Sequence, residues 1–275
     1  MSAVVEVSST VARRGGVRAL WAGNPGAVVQ RGLIAARSSS WAVVLSGFFE
    51  PVFYLASMGI GLGALIGDVE TAQGASVSYA AFIAPALLAV SAMNGAIYDS
   101  TWNVFFKLNY GKLYEGMLAT SLGPLDVALG EILYALLRGL AYATGFMIIM
   151  QILGLNLAWT AVLALPAVVL IAFGFASLGM AVTSYMKTFQ QMDWINFVLL
   201  PMFLFSATFY PITVYPGWVQ QIVTALPLWH GVELIRGLTT GILNVDMLWH
   251  VLYYAVMIAI GLVFTTKRLR ALFLD

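Results

Sequence analysis

Ionisable side chains interrupt stretches that are otherwise apolar, and these are the residues able to do chemistry. They are Glu50, Asp99, Glu131, Arg138, His230, Glu233, Arg236 and His250. Three kinds of chemistry can be set against them. A proton relay calls for several carboxylates in register along the apolar segments, and these lie at scattered depths. A catalytic zinc takes three protein ligands; His230 and Glu233 share a helical spacing, but His250 belongs to the next element. Nucleotide hydrolysis needs a glycine-rich cradle ending in Gly-Lys-Ser/Thr, and before Lys187-Thr188 stands Met186. Neither a Gly-x-Ser-x-Gly elbow nor an Asp-x-Asp pair occurs. The chain is therefore expected to carry no catalytic site, no metal and no cofactor of its own, and its charges are expected to pair structurally. Glu131 and Arg138, seven residues apart, share one helix face but stand about 10 Å apart along the axis, so each looks for a partner on another helix, or in lipid headgroups or solvent.

The elements that position these residues follow from composition. Of 275 residues, 61% are hydrophobic and 9% charged, against about 25% charged in soluble domains. This is an all-α polytopic membrane protein, since helices pair every backbone amide within the segment. A span takes about 20 apolar residues, and six are expected, near 41–66, 79–105, 127–152, 159–186, 194–209 and 247–266. The chain reads as a single transmembrane domain, with no repeat of fixed period. The absence of cysteine excludes disulfides and thiolate metal sites.

Lysine and arginine mark one side of the membrane as cytoplasmic. That side holds Arg13, Arg14, Arg18, Arg31 and Arg37, then Lys107, Lys112 and Lys187, then Lys267, Arg268 and Arg270. The other side has Asp68 and Glu70, no lysine, and one arginine, Arg236, expected to be half-buried. Both termini are expected in the cytoplasm, with no cleaved signal peptide. Residues 25–40, with Val28, Val29, Leu33 and Ile34 against Gln30, Arg31 and Arg37, read as an amphipathic helix on the inner leaflet.

Small-residue spacings, Gly59 to Gly63, Ala172 to Ala176 and Ser177 to Ala181, favour close helix approach. At the end of the fifth span, proline breaks the segment 205–218 repeatedly. Its continuation to Gly237 resumes as a short helix-like stretch carrying Glu233 and Arg236, before the last apolar run begins at Met247. The cytoplasmic loop 106–131 sets Tyr110, Leu113, Tyr114, Met117 and Leu118 at helical spacing, an apolar stripe beside Lys112 and Glu115. An apolar helix face outside the membrane points to a protein groove as its receptor.

The run Tyr114-Glu-Gly-Met-Leu-Ala-Thr-Ser-Leu-Gly-Pro-Leu-Asp126 followed by Gly130-Glu131 resembles the first cytoplasmic loop of type-2 ABC exporter permeases, in particular the nodulation-type lipo-oligosaccharide and drug exporter subgroup. Further matching stretches are Ser46 to Pro51, Ala84 to Leu88, Ser91 to Gly95, Pro201 to Pro211 and Leu226 to Arg236. Ser121 departs from the proline that many members place after the threonine.

The resemblance implies six spans, an interfacial helix beside the first, and re-entrant helices between spans five and six. It implies a second permease, identical or homologous, and separate ATPase subunits that hold the ATP and magnesium. Tyr110, Leu113, Tyr114, Glu115, Met117 and Leu118 would couple to the ATPase; Glu233 and Arg236 would close the outer gate. Phe203, Phe205, Phe209 and Tyr210 would line the pathway between the permeases. The expected function is outward movement of an amphipathic substrate (glycolipid, lipid-linked saccharide or drug) across the inner membrane. A proton-coupled secondary carrier is the alternative. Nucleic acid is not an expected partner.

Overall fold

The computed structural model describes residues 21–36, 49–71, 74 and 76–273. The expected beginning of the first span, 41–48, lies outside the described residues, as do Arg13, Arg14, Arg18 and Arg37.

A short helix, α1 (Pro25–Ala36), comes first. The helix α2 (Phe49–Ile66) leads to a small antiparallel hairpin of β1 (Asp68–Glu70) and β2 (Ser76–Ser78), in which Asp68 faces Ser78. The long α3 (Tyr79–Asn109) begins at Ser78, whose hydroxyl accepts the Ala81 amide at 3.3 Å. There follow α4 (Leu113–Leu118), α5 (Pro124–Ile152) and α6 (Trp159–Thr183). The helix α7 (Asp193–Phe205), the two short helices α8 (Gly217–Ala225) and α9 (Pro227–Thr240), and α10 (Met247–Phe273) complete the chain.

Five helices among the described residues, α2, α3, α5, α6 and α10, are long and apolar enough to cross a membrane. The stretch read as the fifth span is shorter than the others. α7 has 13 residues, about 20 Å at 1.5 Å per residue, against a hydrocarbon core of about 30 Å. The helix ends where Ser206 leaves the helical region, at ψ 35°, and Ala207 turns to φ 55°. The Ser206 hydroxyl donates to the Met202 carbonyl at 2.5 Å, and Pro211 and Pro216, which lack amide donors, oppose a helix resuming beyond.

The first part of α3, Tyr79–Tyr98, is apolar around almost its whole circumference and buried nearly throughout, as a central helix must be. It packs against α2, α5, α6 and α9, while α10 lies on α6. Side chains as small as alanine and glycine let these axes come close. At the crossing of α3 and α5, a Cβ on Gly95 would stand 3.2 Å from the Gly139 Cα. Gly139 in turn faces Ala172 of α6. Ser177 receives Gly261 of α10 so closely that a Cβ there would lie 2.7 Å from the serine Cβ.

The Gly59–Gly63 spacing is used within the chain: Gly59 rests on Ala80, and Gly63 approaches Tyr79. α2 buries only a narrow stripe of Pro51, Leu55 and Gly59, and α7 buries Met202 alone. These two helices form the margin, with Phe53, Ile60, Phe197 and Val198 exposed.

Overpacking at a helix crossing costs about 1–3 kcal/mol, so Gly95→Leu should lower the melting temperature in detergent. Gly61→Leu is the control, because a Cβ at Gly61 meets nothing within 4 Å. Equal melting curves for the two variants would contradict this packing.

Candidate functional site

On α9, Pro227 occupies the first turn and Gly241, at φ 81°, ends the helix in the left-handed region. Between them Glu233 and Arg236, three residues apart, share a face and form an ion pair. The second Arg236 amino group, Nη2, donates to the Ala207 carbonyl at 2.9 Å, and its guanidinium lies 4.1 Å from the Phe82 ring centre. Ala207 has φ 55°, a conformation costly for any residue with a Cβ. Arg236 therefore clasps the chain reversal after α7 against α9 and α3. It is 2% exposed, not half-buried as its sequence position implied, because three elements converge on it.

Phe203 and Phe209 pack on each other, centroids 5.1 Å apart, and both meet Tyr54 of α2. Phe205 and Tyr210 instead gather around Tyr215. The expected pathway aromatics thus fall into two groups, one joining α2 to α7 and one on the proline-rich turn; Trp218 stands exposed.

At the lysine-bearing end the charges of α3 and α5 find each other. Arg138 donates to Asp99 at 2.7 Å and to the Tyr142 hydroxyl at 3.0 Å, and Asn103 donates to Asp99. Lys107 meets Glu131 at 2.5 Å. Each charge of the Glu131–Arg138 pair is answered from α3, as one-helix geometry required. Asp99 sits in a π turn, 99–103, that locally widens α3, a feature frequent at functional sites. Glu50 is exposed on α2.

The stripe on the loop turns inward. Tyr114, Met117 and Leu118 are buried against the spans, Leu113 is half-buried, and Tyr110, Glu115 and Gly116 remain exposed. Of the six residues expected to couple to the ATPase, Tyr110 and Glu115 thus face outward, and Leu113, Tyr114, Met117 and Leu118 face the spans wholly or in part. Helical spacing identifies a face but not which neighbour covers it. Burial, reinforced by the adjacent Glu131 charge, pushes the Tyr114 phenol well above its ordinary pKa, so it stays neutral.

Asp126, at the end of the loop motif, is fully buried, which its spacing in the sequence gives no sign of. Its Oδ2 accepts the backbone amides of Ala22 at 2.6 Å and Gly123 at 2.9 Å, and its Oδ1 accepts that of Asn24 at 2.9 Å. α1 then runs along α5, with Val28 over Gly130 and the Tyr134 ring over Gly32. Val28 of the amphipathic face thus meets protein, while Leu33 and Ile34 stay exposed.

His230 and His250 bring their Nδ1 atoms to 2.7 Å, and Tyr253 stacks on His230 with centroids 4.0 Å apart. Spacing within one helix gave no sign of this contact across two. Among the described residues no group of three possible ligands gathers to hold a metal. Beside the pair runs an apolar groove of about 540 Å³ between α6, α9 and α10, lined by Leu178, Trp249, Leu252, Val256 and Ile260.

The family model described as ABC-2 type transporter matches residues 26–239. This chain belongs to that family. Nodulation protein J of Rhizobium leguminosarum bv. viciae is 32% identical over 246 residues, which cover 89% of this chain and 93% of that protein. Nodulation protein J of Bradyrhizobium diazoefficiens is 34% identical over 212 residues, 76% of this chain and 79% of that one. The Sinorhizobium fredii protein of the same name is 33% identical over a stretch of the same coverage. Membership makes the chain the membrane subunit of an ABC transporter and implies association with an ABC ATPase subunit. The ABC-2 match runs from α1 to α9 and so takes in α4, Asp126 itself and the Glu233–Arg236 pair, while Ala22 and Asn24, which donate to Asp126, precede it.

Removing one partner of a buried ion pair costs about 3–5 kcal/mol; Arg138 is 18% exposed, which favours the lower end. Asp99→Ala and Arg138→Ala should each destabilise the chain strongly, and the double variant by less than their sum. A double-mutant cycle measured by thermal unfolding in detergent tests this, and strict additivity would rule out a direct pair.

Proposed function

We propose that this chain is the permease subunit of an ATP-driven exporter that moves an amphipathic substrate outward across the inner membrane. The substrate class is a glycolipid, a lipid-linked saccharide or a drug. The observation that carries the reading is the make-up of α4. One side of this short helix is built into the spans through Tyr114, Met117 and Leu118, and the other side presents Glu115 and Gly116 outside them, with Tyr110 exposed in the turn just ahead of it. Such a helix passes force from a bound protein to the membrane segments. The ATPase subunit binds the nucleotide and magnesium, and its change of state shifts a two-state equilibrium of the permease through α4.

In this reading both termini are cytoplasmic, following the lysine and arginine bias. α7 is the inner part of a sixth membrane-crossing segment, and α8 with α9 re-enters from the outer side. Two permeases, identical or homologous, meet along the sparsely buried faces of α2 and α7. The substrate passes between them, near Phe203, Phe205, Phe209 and Tyr210. Glu233 and Arg236 act as an outer gate by holding the end of α7, not by lining an opening. The pairing of Asp99 with Arg138 and of Glu131 with Lys107 favours this reading over a proton-coupled carrier, whose carboxylates must be free to titrate.

Tyr110→Asp together with Glu115→Arg alters only exposed side chains. This variant should insert normally yet lose most stimulation of the ATPase subunit, at least about tenfold if one good contact is lost. Copurification of the ATPase subunit and its hydrolysis rate in vesicles provide the check. Undiminished binding and stimulation would remove α4 as the docking element.

A further inference from the structure

Asp126 does more than cap a helix. As the third residue of α5 it needs only the Gly123 amide to complete the cap, and Oδ2 accepts that amide at 2.9 Å. Its other two bonds go to Ala22 and Asn24, more than a hundred residues away in sequence and just ahead of α1. A fully buried carboxylate with three amide donors is a strong junction, because each bond is charge-assisted and shielded from water. Gly123 follows α4 after a short turn, so the same carboxylate joins the turn carrying α4 to the start of α1. α1 is also bound side-on to α5, Val28 against Gly130 and Gly32 under Tyr134.

We infer that Asp126 is the positioning residue that makes α1 and α4 a single lever, so that a push on α4 is shared with the membrane-surface helix. This rests on the permease reading. Displacement of the α4–α5 turn draws residues 22–24 with it, since one buried carboxylate accepts amides from both at 2.6–2.9 Å. The motion reaches α5 at two places: directly at Pro124, and again along the α1 contact.

The test uses the full chain with its ATPase subunit in vesicles of native lipid. Asp126→Ala should lower ATP-coupled transport roughly tenfold or more, the worth of one charge-assisted hydrogen bond, while the ATPase subunit still copurifies. Ala22→Cys with Gly123→Cys puts a covalent tie where two amides now share one oxygen atom. Gly123, at φ −93°, accepts a side chain without backbone strain, and the chain has no other cysteine. Oxidation of this pair in the Asp126→Ala background should restore transport, and reduction should abolish it again. With Asp126 intact, the oxidised pair should transport like the reduced one; this measurement decides the matter if Asp126→Ala is not recovered in membranes. Full coupling in Asp126→Ala, failure of the disulfide to rescue it, or loss of transport on oxidation with Asp126 intact would overturn the lever. If the ATPase subunit neither binds nor drives the unsubstituted chain, the permease reading falls and takes this inference with it, a failure visible before any substitution is made.

Discussion

A charge carried into hydrocarbon must be answered within the protein, and the rest of this structure is arranged around that requirement. Burying an ion without a partner costs several kcal/mol, so each charge brought inside holds two segments together. Arg138 joins α5 to α3 through Asp99, and Lys107 repeats the tie nearer the basic end through Glu131. Arg236 holds the end of α7 through Ala207 and leans on Phe82 of α3. Asp126 does the same with backbone amides in place of a cation. Among the described residues these ties help to fix register, because methyl groups alone discriminate poorly between one depth and the next. Neutral ties act with them: Thr160 donates to the Leu238 carbonyl at 2.6 Å, and Tyr254 to that of Pro227 at 2.7 Å.

The ties demand that the axes come close, and the small residues provide for that. Gly95 and Gly139 bring α3 and α5 near enough for Arg138 to reach Asp99 four residues further along α3. Gly261 lets α10 lie on Ser177 of α6. The core formed in this way is dense around α3, α5 and α6 and thin around α2 and α7. That unevenness suits a transporter, because sparsely packed elements open at lower free energy than the core does. α4 stands between the two regimes, rooted in the dense part and bare toward the basic end.

Much of the fold was legible in the sequence because a bilayer imposes one severe rule. Long apolar runs, interrupted at Asp68, Lys107 and Lys187, have a single helical solution in lipid, and α3, α5, α6 and α10 appear close to where hydropathy puts them. The need of Glu131 and Arg138 for partners off their own helix was legible too, from a rise of about 1.5 Å per residue. The proline-broken stretch announced an interruption, and α8 and α9 fill it.

Which partner each charge takes was not legible. Asp99 with Arg138, Asp126 with Ala22 and Asn24, and His230 with His250 are contacts between segments 20 to 104 residues apart. No local periodicity encodes them. The side from which the loop stripe is covered was equally hidden, since Tyr114 and Met117 have the same spacing whether they face a partner or their own spans. The sequence by itself determined that this chain lives in a membrane as helices, and where most of those helices lie, since hydrocarbon offers the backbone no other partner. Tertiary structure alone decided which charges meet and which face of α4 stays bare, because both depend on how helices approach in three dimensions.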